Sequence, residues 1–210
     1  FLTAGMLAML LRLELAQPGR LMDGDLYNTV MSTHGIVMIV VALIAIVGGL
    51  GNYFVPLMIG ARDMAFPKVN ALSYWLLPPA LLLIVANPLL GGFDTGWTAY
   101  PPLSQQANLG QQAFILTFIT LGVSSIISAV NFLVTVARMR APGMSLTRMP
   151  IFVWALTVTT SIVLVATSVV AAAMTMLLFD RLLGTAFFRP NAGGDPILFQ
   201  HLFWFFGHPE

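Results

Sequence analysis

The chain has 210 residues, of which 58% are hydrophobic and only 8% are charged, and its mean hydropathy is +0.90. Soluble domains carry about 25% charged residues, and a soluble protein of this size could not hide so much apolar surface from water, so the composition predicts an integral membrane protein. The net charge of +1 indicates neither nucleic acid nor an acidic partner, and the absence of cysteine excludes disulfides, thiolate metal sites and iron–sulfur clusters.

Four apolar stretches are long enough to cross a bilayer, which takes roughly 20 residues in a helix. They predict helices over 29–59, 72–92, 111–137 and 150–179. The apolar run 1–11 is interpreted as the end of a helix, and the run 196–210 as another helix that is cut short. We therefore expect one all-α transmembrane unit over 1–210, truncated at both ends, because lipid leaves only helices and closed barrels as spanning structures.

Basic residues are concentrated in two of the loops between these helices. The loops 60–71 and 138–149 contain five Arg or Lys residues and one acid, Asp63, whereas the loops 12–28, 93–110 and 180–195 contain more acids than bases. By the positive-inside rule the first two loops are cytoplasmic and the other three lie outside.

Two of the three histidines and one acid lie well inside the apolar stretches, where such groups are costly and usually functional, whereas His201 lies near the interface and is interpreted as structural. His34 lies in the first span and His208 in the last stretch, and an imidazole without a charged neighbour suits a metal or a haem iron. Glu210, two residues after His208, is interpreted as a proton carrier beside such a site. The alternatives are a neutral histidine bonded to a backbone carbonyl, and a glutamate paired with a base on another helix.

Amides and hydroxyls also interrupt the apolar helices. They are Asn52, Asn70, Asn131, Ser124 and Ser125. Such groups often only bond across helices, but a row of them can also hold water and so conduct protons. Asp63 is a loop acid, for which exposure to solvent is the default interpretation.

Seven segments, in order along the chain, resemble subunit I of the haem-copper respiratory oxidases. They are residues 12–19, 32–35, 51–60, 63–67, 96–104, 140–144 and 193–210. The last of them, GGDPILFQHLFWFFGHPE, is the most specific. The resemblance implies a polytopic all-α bundle that forms the first half of a subunit of roughly twelve helices. It also implies an enzyme that takes electrons from cytochrome c, reduces O₂ to water and pumps protons.

Two other functions remain open. A quinol oxidase of the same family usually carries a basic and an acidic residue in its first helix, and the uncharged run 1–11 favours cytochrome c as the donor. A non-redox channel or transporter would explain the composition but not the seven ordered segments.

The resemblance implies a role for each matching residue. His34 corresponds to an axial ligand of the low-spin haem, and Arg12 to a contact at the edge of that haem. His208 corresponds to the first of three histidines on the copper, and Trp204 packs beside the copper. A high-spin haem is also implied, with its ligand outside this chain.

A proton path is implied as well. It begins at Asp63, is lined by Asn52, Asn70, Asn131, Ser124 and Ser125, and ends at Glu210, which we expect to be protonated at rest near neutral pH. Subunits II and III and cytochrome c are implied as partners. The bacterial cytoplasmic membrane is expected, with the mitochondrial inner membrane as the alternative.

One segment departs from the family pattern. Between His34 and Gly48 the chain is one residue shorter than expected and lacks the usual proline. Such a loss rotates the rest of a helix by about 100° unless a bulge or kink absorbs it.

Overall fold

The computed structural model describes residues 1–39, 44–105 and 108–209, and the regular structure of these residues is entirely helical. The α-helices are α1 (Leu2–Ala16), α2 (Gly24–Ile36), α3 (Ile44–Ile59), α4 (Pro67–Trp75), α5 (Leu77–Ala86), α6 (Leu109–Arg138), α7 (Ile151–Leu182) and α8 (Pro196–Gly207). Three segments are long and apolar enough to cross a membrane, namely Pro67–Leu90, Leu109–Arg138 and Ile151–Leu182. The prediction of an all-α membrane bundle is confirmed.

The span predicted over 29–59 differs from the structure. α2 begins earlier, at Gly24, because Asp23 caps it by accepting a hydrogen bond from the Leu26 N–H at 2.8 Å. It passes into a π-helical turn at 37–39, and α3 begins at Ile44, while residues 40–43 lie outside the described part of the chain. A π turn holds an extra residue and therefore changes which side chains share a face. The turn falls within the segment that departs from the family pattern.

The span predicted over 72–92 begins earlier, at Pro67, and contains a junction. Leu76 ends α4 and precedes α5, whose first turn contains Pro78 and Pro79. Neither proline has an N–H to donate, so the hydrogen-bond ladder of α4 does not continue across this point. The span then ends in a 3₁₀ turn, Asn87–Leu90.

The longest helices, α6 and α7, form the centre of the packing. α4 and α5 pack on α6, α8 packs on α7, α3 touches both long helices, and α1 packs on α2. A Cβ added at Gly122 would lie 3.4 Å from the side chain of Ala171, so small residues let α6 and α7 approach closely.

Two apolar clusters fill the interior at different levels. The larger cluster includes Phe93, Phe114, Met174 and Phe203. The smaller cluster includes Val55, Ile59, Phe132 and Val153. The functional residues described below lie beside and between these clusters.

The two loops predicted to be cytoplasmic meet at one end of the bundle. The Ala141 N–H donates to the Ile59 carbonyl at 2.8 Å, and a Cβ at Gly60 would lie 3.0 Å from the Ala141 side chain. Gly60 has a φ of +76°, which ends α3 in a left-handed turn that glycine accommodates best. The grouping of these loops agrees with the charge pattern, and their cytoplasmic location stays a prediction.

Candidate functional site

His34 lies on the face of α2 that meets α1. Its Nδ1 is 2.9 Å from the main-chain carbonyl oxygen of Ala4, and its side chain is half-buried. A carbonyl oxygen only accepts, so Nδ1 carries a proton, and in the neutral ring this leaves Nε2 as the nitrogen that can bind a metal. Histidines that bind metals almost always donate their other N–H in this way. The ring therefore fits the role of an axial haem ligand, although the bond to a backbone carbonyl is also what a purely structural histidine would make.

The loop 93–105 packs against α2 on both sides of His34. The Gly96 N–H donates to Ser32 Oγ at 2.9 Å, and a Cβ at Gly35 would lie 3.5 Å from the Trp97 side chain. A larger residue at position 35 would press on this indole. The Ser32–Gly35 run therefore connects the histidine to the aromatic loop.

Arg12 lies on the same helix as Ala4. It is exposed. Eight residues of helix separate Arg12 from Ala4, which is about 12 Å along the axis. Because α1 and α2 join through the turn 17–23, Arg12 lies between the level of His34 and that turn, on the predicted outer side.

α8 carries the proposed copper ligand at its end. His208 is exposed and is the residue at which the helix ends, and His201, seven residues earlier, is exposed about two turns away on nearly the same side of α8. The Trp204 ring packs edge-on against Trp97 with their centroids 6.1 Å apart, and its Nε1–H donates to the Tyr100 hydroxyl. Glu210 lies outside the described residues.

Within the described residues, no three His, Cys, Asp or Glu side chains come together as a metal site. His208 alone cannot hold a copper ion, so further ligands are required from outside these residues.

A cavity of about 660 Å³ lies between α3, α4, α6 and α7. Its wall contains most of the predicted proton path, namely Asp63, Asn70, Asn52, Ser124 and Ser125. Asp63 is exposed as well as part of the wall, so it stands where the cavity meets the end of the bundle. The wall is mostly apolar, and these amides, hydroxyls and the carboxylate are among its polar groups; the volume is large enough for several water molecules beside them.

The amide of Asn52 leaves one acceptor available in this wall. Its Nδ2 donates to the Gly48 carbonyl at 2.8 Å, and its buried Oδ1 has no hydrogen-bond partner among the described residues. A buried amide oxygen normally finds a donor, and water in the cavity is the donor that fits. By contrast, the Ser124 hydroxyl donates a hydrogen bond to the Ser73 carbonyl at 2.7 Å.

Asn131 is not part of the cavity wall. Its side chain is fully buried and contacts the backbone of Phe66. The structure therefore brings together five of the six predicted polar path residues described here and leaves Asn131 apart from them.

Further polar residues of the wall were not singled out from the sequence. They are Ser73, Ser128, Thr159 and Thr160. Ser128 follows Ser124 by four residues and Ser125 by three, which places the three serines on one side of α6, so helical spacing could have found it. The threonines of α7 gave no such signal, because the sequence does not say which face of α7 meets α6.

Asp180 anchors the loops at the predicted outer end. It is fully buried, and its carboxylate accepts hydrogen bonds from Gln105 Nε2 at 3.1 Å, Thr185 Oγ1 at 2.6 Å, and the N–H groups of Phe187 and Phe188 at 2.8 Å each. The neighbouring Arg181 donates to the carbonyls of residues 104 and 108, both at 2.7 Å. These bonds fix the loop that carries Trp97 and Tyr100.

Glu14 anchors the turn between α1 and α2. It accepts hydrogen bonds from the N–H groups of Leu21 at 2.9 Å, Met22 at 3.1 Å, and Gly19. These donors favour the ionised carboxylate and lower the pKa of Glu14, and the Leu21 N–H has the largest effect. Burial of the carboxylate acts in the opposite direction. This role of Glu14 in holding the turn was not predicted from the sequence.

Comparison with known proteins agrees with the ordered segments. A family model described as cytochrome c and quinol oxidase polypeptide I matches residues 1–210. The chain is 48% identical to cytochrome c oxidase subunit 1 of Thermostichus vulcanus and covers 38% of that protein with 100% of its own length. It is 42% identical to cytochrome c oxidase subunit 1 of Synechocystis sp. (strain ATCC 27184 / PCC 6803 / Kazusa), again over 100% of this chain and 38% of the relative. The chain thus spans well under half the length of these relatives.

Proposed function

The chain belongs to the cytochrome c and quinol oxidase polypeptide I family, and on this premise we propose that it forms part of the catalytic subunit of a terminal respiratory oxidase. The whole protein would oxidise cytochrome c, reduce O₂ to water and pump protons, and a low-spin haem, a high-spin haem and a copper ion would supply the redox chemistry. The single observation that supports this best is the match of the oxidase polypeptide I family to residues 1–210, and the bond of His34 Nδ1 to the Ala4 carbonyl is compatible with it.

His34 would hold the low-spin haem as one of its iron ligands. When bound, the haems and the copper supply reversible one-electron chemistry and the site of O₂ reduction. The bond to the Ala4 carbonyl fixes the ring plane and its tautomer. Arg12, exposed on α1, supplies a cation for the edge of the haem. His208 would supply one of the copper ligands, and Trp204 would lie near that site.

The cavity that begins at Asp63 holds the first part of a proton path. Protons do not cross apolar packing unaided, and a water-filled cavity lined by amides and hydroxyls avoids that barrier. The buried Oδ1 of Asn52, unpartnered within the described residues, supports the presence of water there. Glu210, which lies outside the described residues, would accept these protons and pass them on.

Cytochrome c is the proposed electron donor, since the relatives reported above are named cytochrome c oxidases. A quinol oxidase of the same family is the alternative, because the matching family covers both. The proposed partners are subunits II and III, and the proposed location is the bacterial cytoplasmic membrane. Membrane lipid covers the remaining exposed apolar faces.

One pair of measurements on the whole protein tests this function. A reduced-minus-oxidised optical spectrum should contain the bands of a low-spin and a high-spin haem. Oxygen consumption should be rapid with reduced cytochrome c and slow with a soluble quinol. A protein without haem bands is not an oxidase, and rapid consumption with quinol alone would support the alternative donor.

The role of Glu210 has its own test. An infrared difference spectrum of the whole oxidase should contain a band from a protonated carboxyl, and that band should be lost in Glu210→Gln together with most of the turnover. If the band and the turnover both remain in the variant, Glu210 is not the proton carrier.

A further inference from the structure

Asp180 is a fully buried acid near the end of α7, and its carboxylate binds two separate loops. Its exposed fraction is 0%. Oδ1 accepts hydrogen bonds from Thr185 Oγ1 at 2.6 Å and from the Phe187 N–H at 2.8 Å. Oδ2 accepts from the Phe188 N–H at 2.8 Å and from Gln105 Nε2 at 3.1 Å. Each oxygen therefore has two donors, and the four donors come from the loop before α8 and from the loop 93–105.

The donors at Phe187 and Phe188 connect Asp180 to the beginning of α8. The Phe187 carbonyl accepts a hydrogen bond from the N–H of Asp195, the N-cap residue of α8, at 3.0 Å. The Phe188 ring is fully buried and packs edge-on against Phe199 of α8, with the ring centroids 5.3 Å apart. The first turn of α8 is thus held to Asp180 through one intervening peptide and one aromatic contact.

The donor at Gln105 connects the same carboxylate to the turn that contains Tyr100. The Ser104 N–H donates to the Tyr100 carbonyl at 3.1 Å, and the Ser104 carbonyl accepts a hydrogen bond from Arg181 Nη1 at 2.7 Å. Asp180 and Arg181 are neighbours on α7, and they bind two neighbouring residues of this turn. The position of Tyr100 therefore depends on the end of α7.

The two segments that Asp180 holds meet again at Trp204. The Trp204 Nε1–H donates to the Tyr100 hydroxyl. Trp204 lies nine residues after Asp195, and His208, at which α8 ends, lies thirteen residues after it, or about 20 Å along the axis. Because a packed helix moves as a rigid element, a shift of its first turn would displace both side chains.

We propose that Asp180 is a positioning residue for the copper site proposed above. It fixes the first turn of α8 and the turn of Tyr100 to one carboxylate, and it thereby keeps Trp204 and His208 in place. The proposal rests on the proposed function, because only that function assigns His208 to copper. It adds to that function a residue at the predicted outer end of α7 that acts through hydrogen bonds to two loops.

The test uses the whole oxidase and variants that release one side of the carboxylate at a time. Gln105→Leu removes the bond to the turn of Tyr100. Thr185→Val removes a bond on the side of α8, and Thr185→Ser keeps the hydroxyl. Asp180→Asn disturbs both sides, because either orientation of the amide places an NH₂ group against two donors.

The matched control for these variants is Thr175→Val. Thr175 is half-buried, as Thr185 is, but its hydroxyl donates to the Ala171 carbonyl within α7 at 2.8 Å. The control therefore removes a hydroxyl of the same type without releasing either of the two loops.

Two signals report on the site itself. The ultraviolet resonance Raman band of the Trp204 indole N–H, assigned by its loss in Trp204→Phe, reports the strength of the bond to Tyr100. The rate at which the oxidase loses copper to a chelator reports how well the copper ligands are held. The thermal midpoint Tm is measured beside them, so that a general loss of stability is recognised.

In Asp180→Asn, Gln105→Leu and Thr185→Val, the indole band should move to the position of a weaker hydrogen bond. Copper loss should become roughly tenfold faster, which is the lower end of the effect of removing a residue that supports a metal ligand. Thr185→Ser should restore both signals, and Thr175→Val should change neither. If Asp180→Asn does not assemble, Gln105→Leu and Thr185→Val decide the question.

Three results would overturn the proposal. The first is an unchanged indole band and unchanged copper loss in Gln105→Leu and Thr185→Val. The second is a lower Tm in these variants with both signals unchanged, which would reduce Asp180 to a support of the fold. The third is an equal change in Thr175→Val.

His208→Ala separates this proposal from the proposed function. If the whole oxidase keeps its copper in His208→Ala, the assignment of His208 to copper is wrong, whatever Asp180 does. If copper is lost in His208→Ala while Gln105→Leu and Thr185→Val keep both signals normal, the proposed function stands and only the positioning role of Asp180 fails.

Discussion

The imidazole of His34 and the main-chain carbonyl of Ala4 form a hydrogen bond between two helices, with 2.9 Å between Nδ1 and the oxygen. The bond fixes the tautomer, since only Nδ1 can carry the proton that the carbonyl accepts. It also makes the orientation of the ring depend on the packing of α1 against α2. A segment near the beginning of the chain therefore contributes to a ligand site on the next helix.

His34→Ala should abolish the low-spin haem bands in the reduced-minus-oxidised spectrum of the whole oxidase, because the iron loses an axial ligand. His201→Ala is the matched control, since His201 is exposed and is not among the proposed ligands. Its spectrum should be unchanged. Retention of the low-spin bands in His34→Ala would show that another residue binds that haem.

Asp180→Ala should destabilise the protein strongly. The change leaves the donors of Gln105, Thr185, Phe187 and Phe188 without their buried acceptor, at a cost of about 3 kcal/mol or more. Thermal unfolding of the whole oxidase measures the loss as a lower Tm. The control is Asp195→Ala, an exposed cap of α8 whose removal costs about 1 kcal/mol. Equal Tm values for the two variants would contradict the anchoring role of Asp180.

Much of the fold could be predicted from the sequence. Apolar length alone identified the segments that form Leu109–Arg138 and Ile151–Leu182 almost to their ends, and charge alone grouped the loops that meet through Ala141 and Ile59. The π turn at 37–39 and the junction at Leu76 were not predicted. Hydropathy measures how apolar a stretch is. A π turn or a proline junction does not change the mean hydropathy of the stretch, so hydropathy cannot reveal either feature.

The site could be predicted only in part. Four of the polar helix residues that line the cavity could be named from the sequence, namely Asn52, Asn70, Ser124 and Ser125, and their roles in proton transfer remain predictions; Ser73, Ser128, Thr159 and Thr160 were not named. The partners of Asn131 and His34 could not be named, because each partner is a backbone atom, in Phe66 and Ala4 respectively. Every residue offers the same backbone groups, so only the tertiary approach of two segments determines which one is used.

The stabilisation from Glu14 should depend on pH. Its pKa is lowered in the folded protein by the N–H donors of Leu21 and its neighbours, so the stabilisation is fully present above the ordinary glutamate pKa of about 4.3. The stabilisation is lost as the pH falls from the ordinary glutamate pKa through the lower pKa of the folded protein, because the carboxylate then becomes protonated. Glu14→Gln should therefore lower Tm at neutral pH, and its difference from the unsubstituted protein should shrink in acid. A Tm difference that stays constant down to the lowest accessible pH would contradict this account.

Asp63→Asn should slow proton uptake by the whole oxidase roughly tenfold or more and abolish pumping, because the amide cannot exchange a proton at the cavity mouth. Asparagine keeps the size of the side chain and the oxygen that accepts the Met64 N–H, so the loop should stay in place. Proton uptake is followed with a pH indicator during turnover. Asp25→Asn is the control, since Asp25 is exposed in the first turn of α2, away from the cavity wall. Normal pumping at normal turnover in Asp63→Asn would show that protons enter elsewhere.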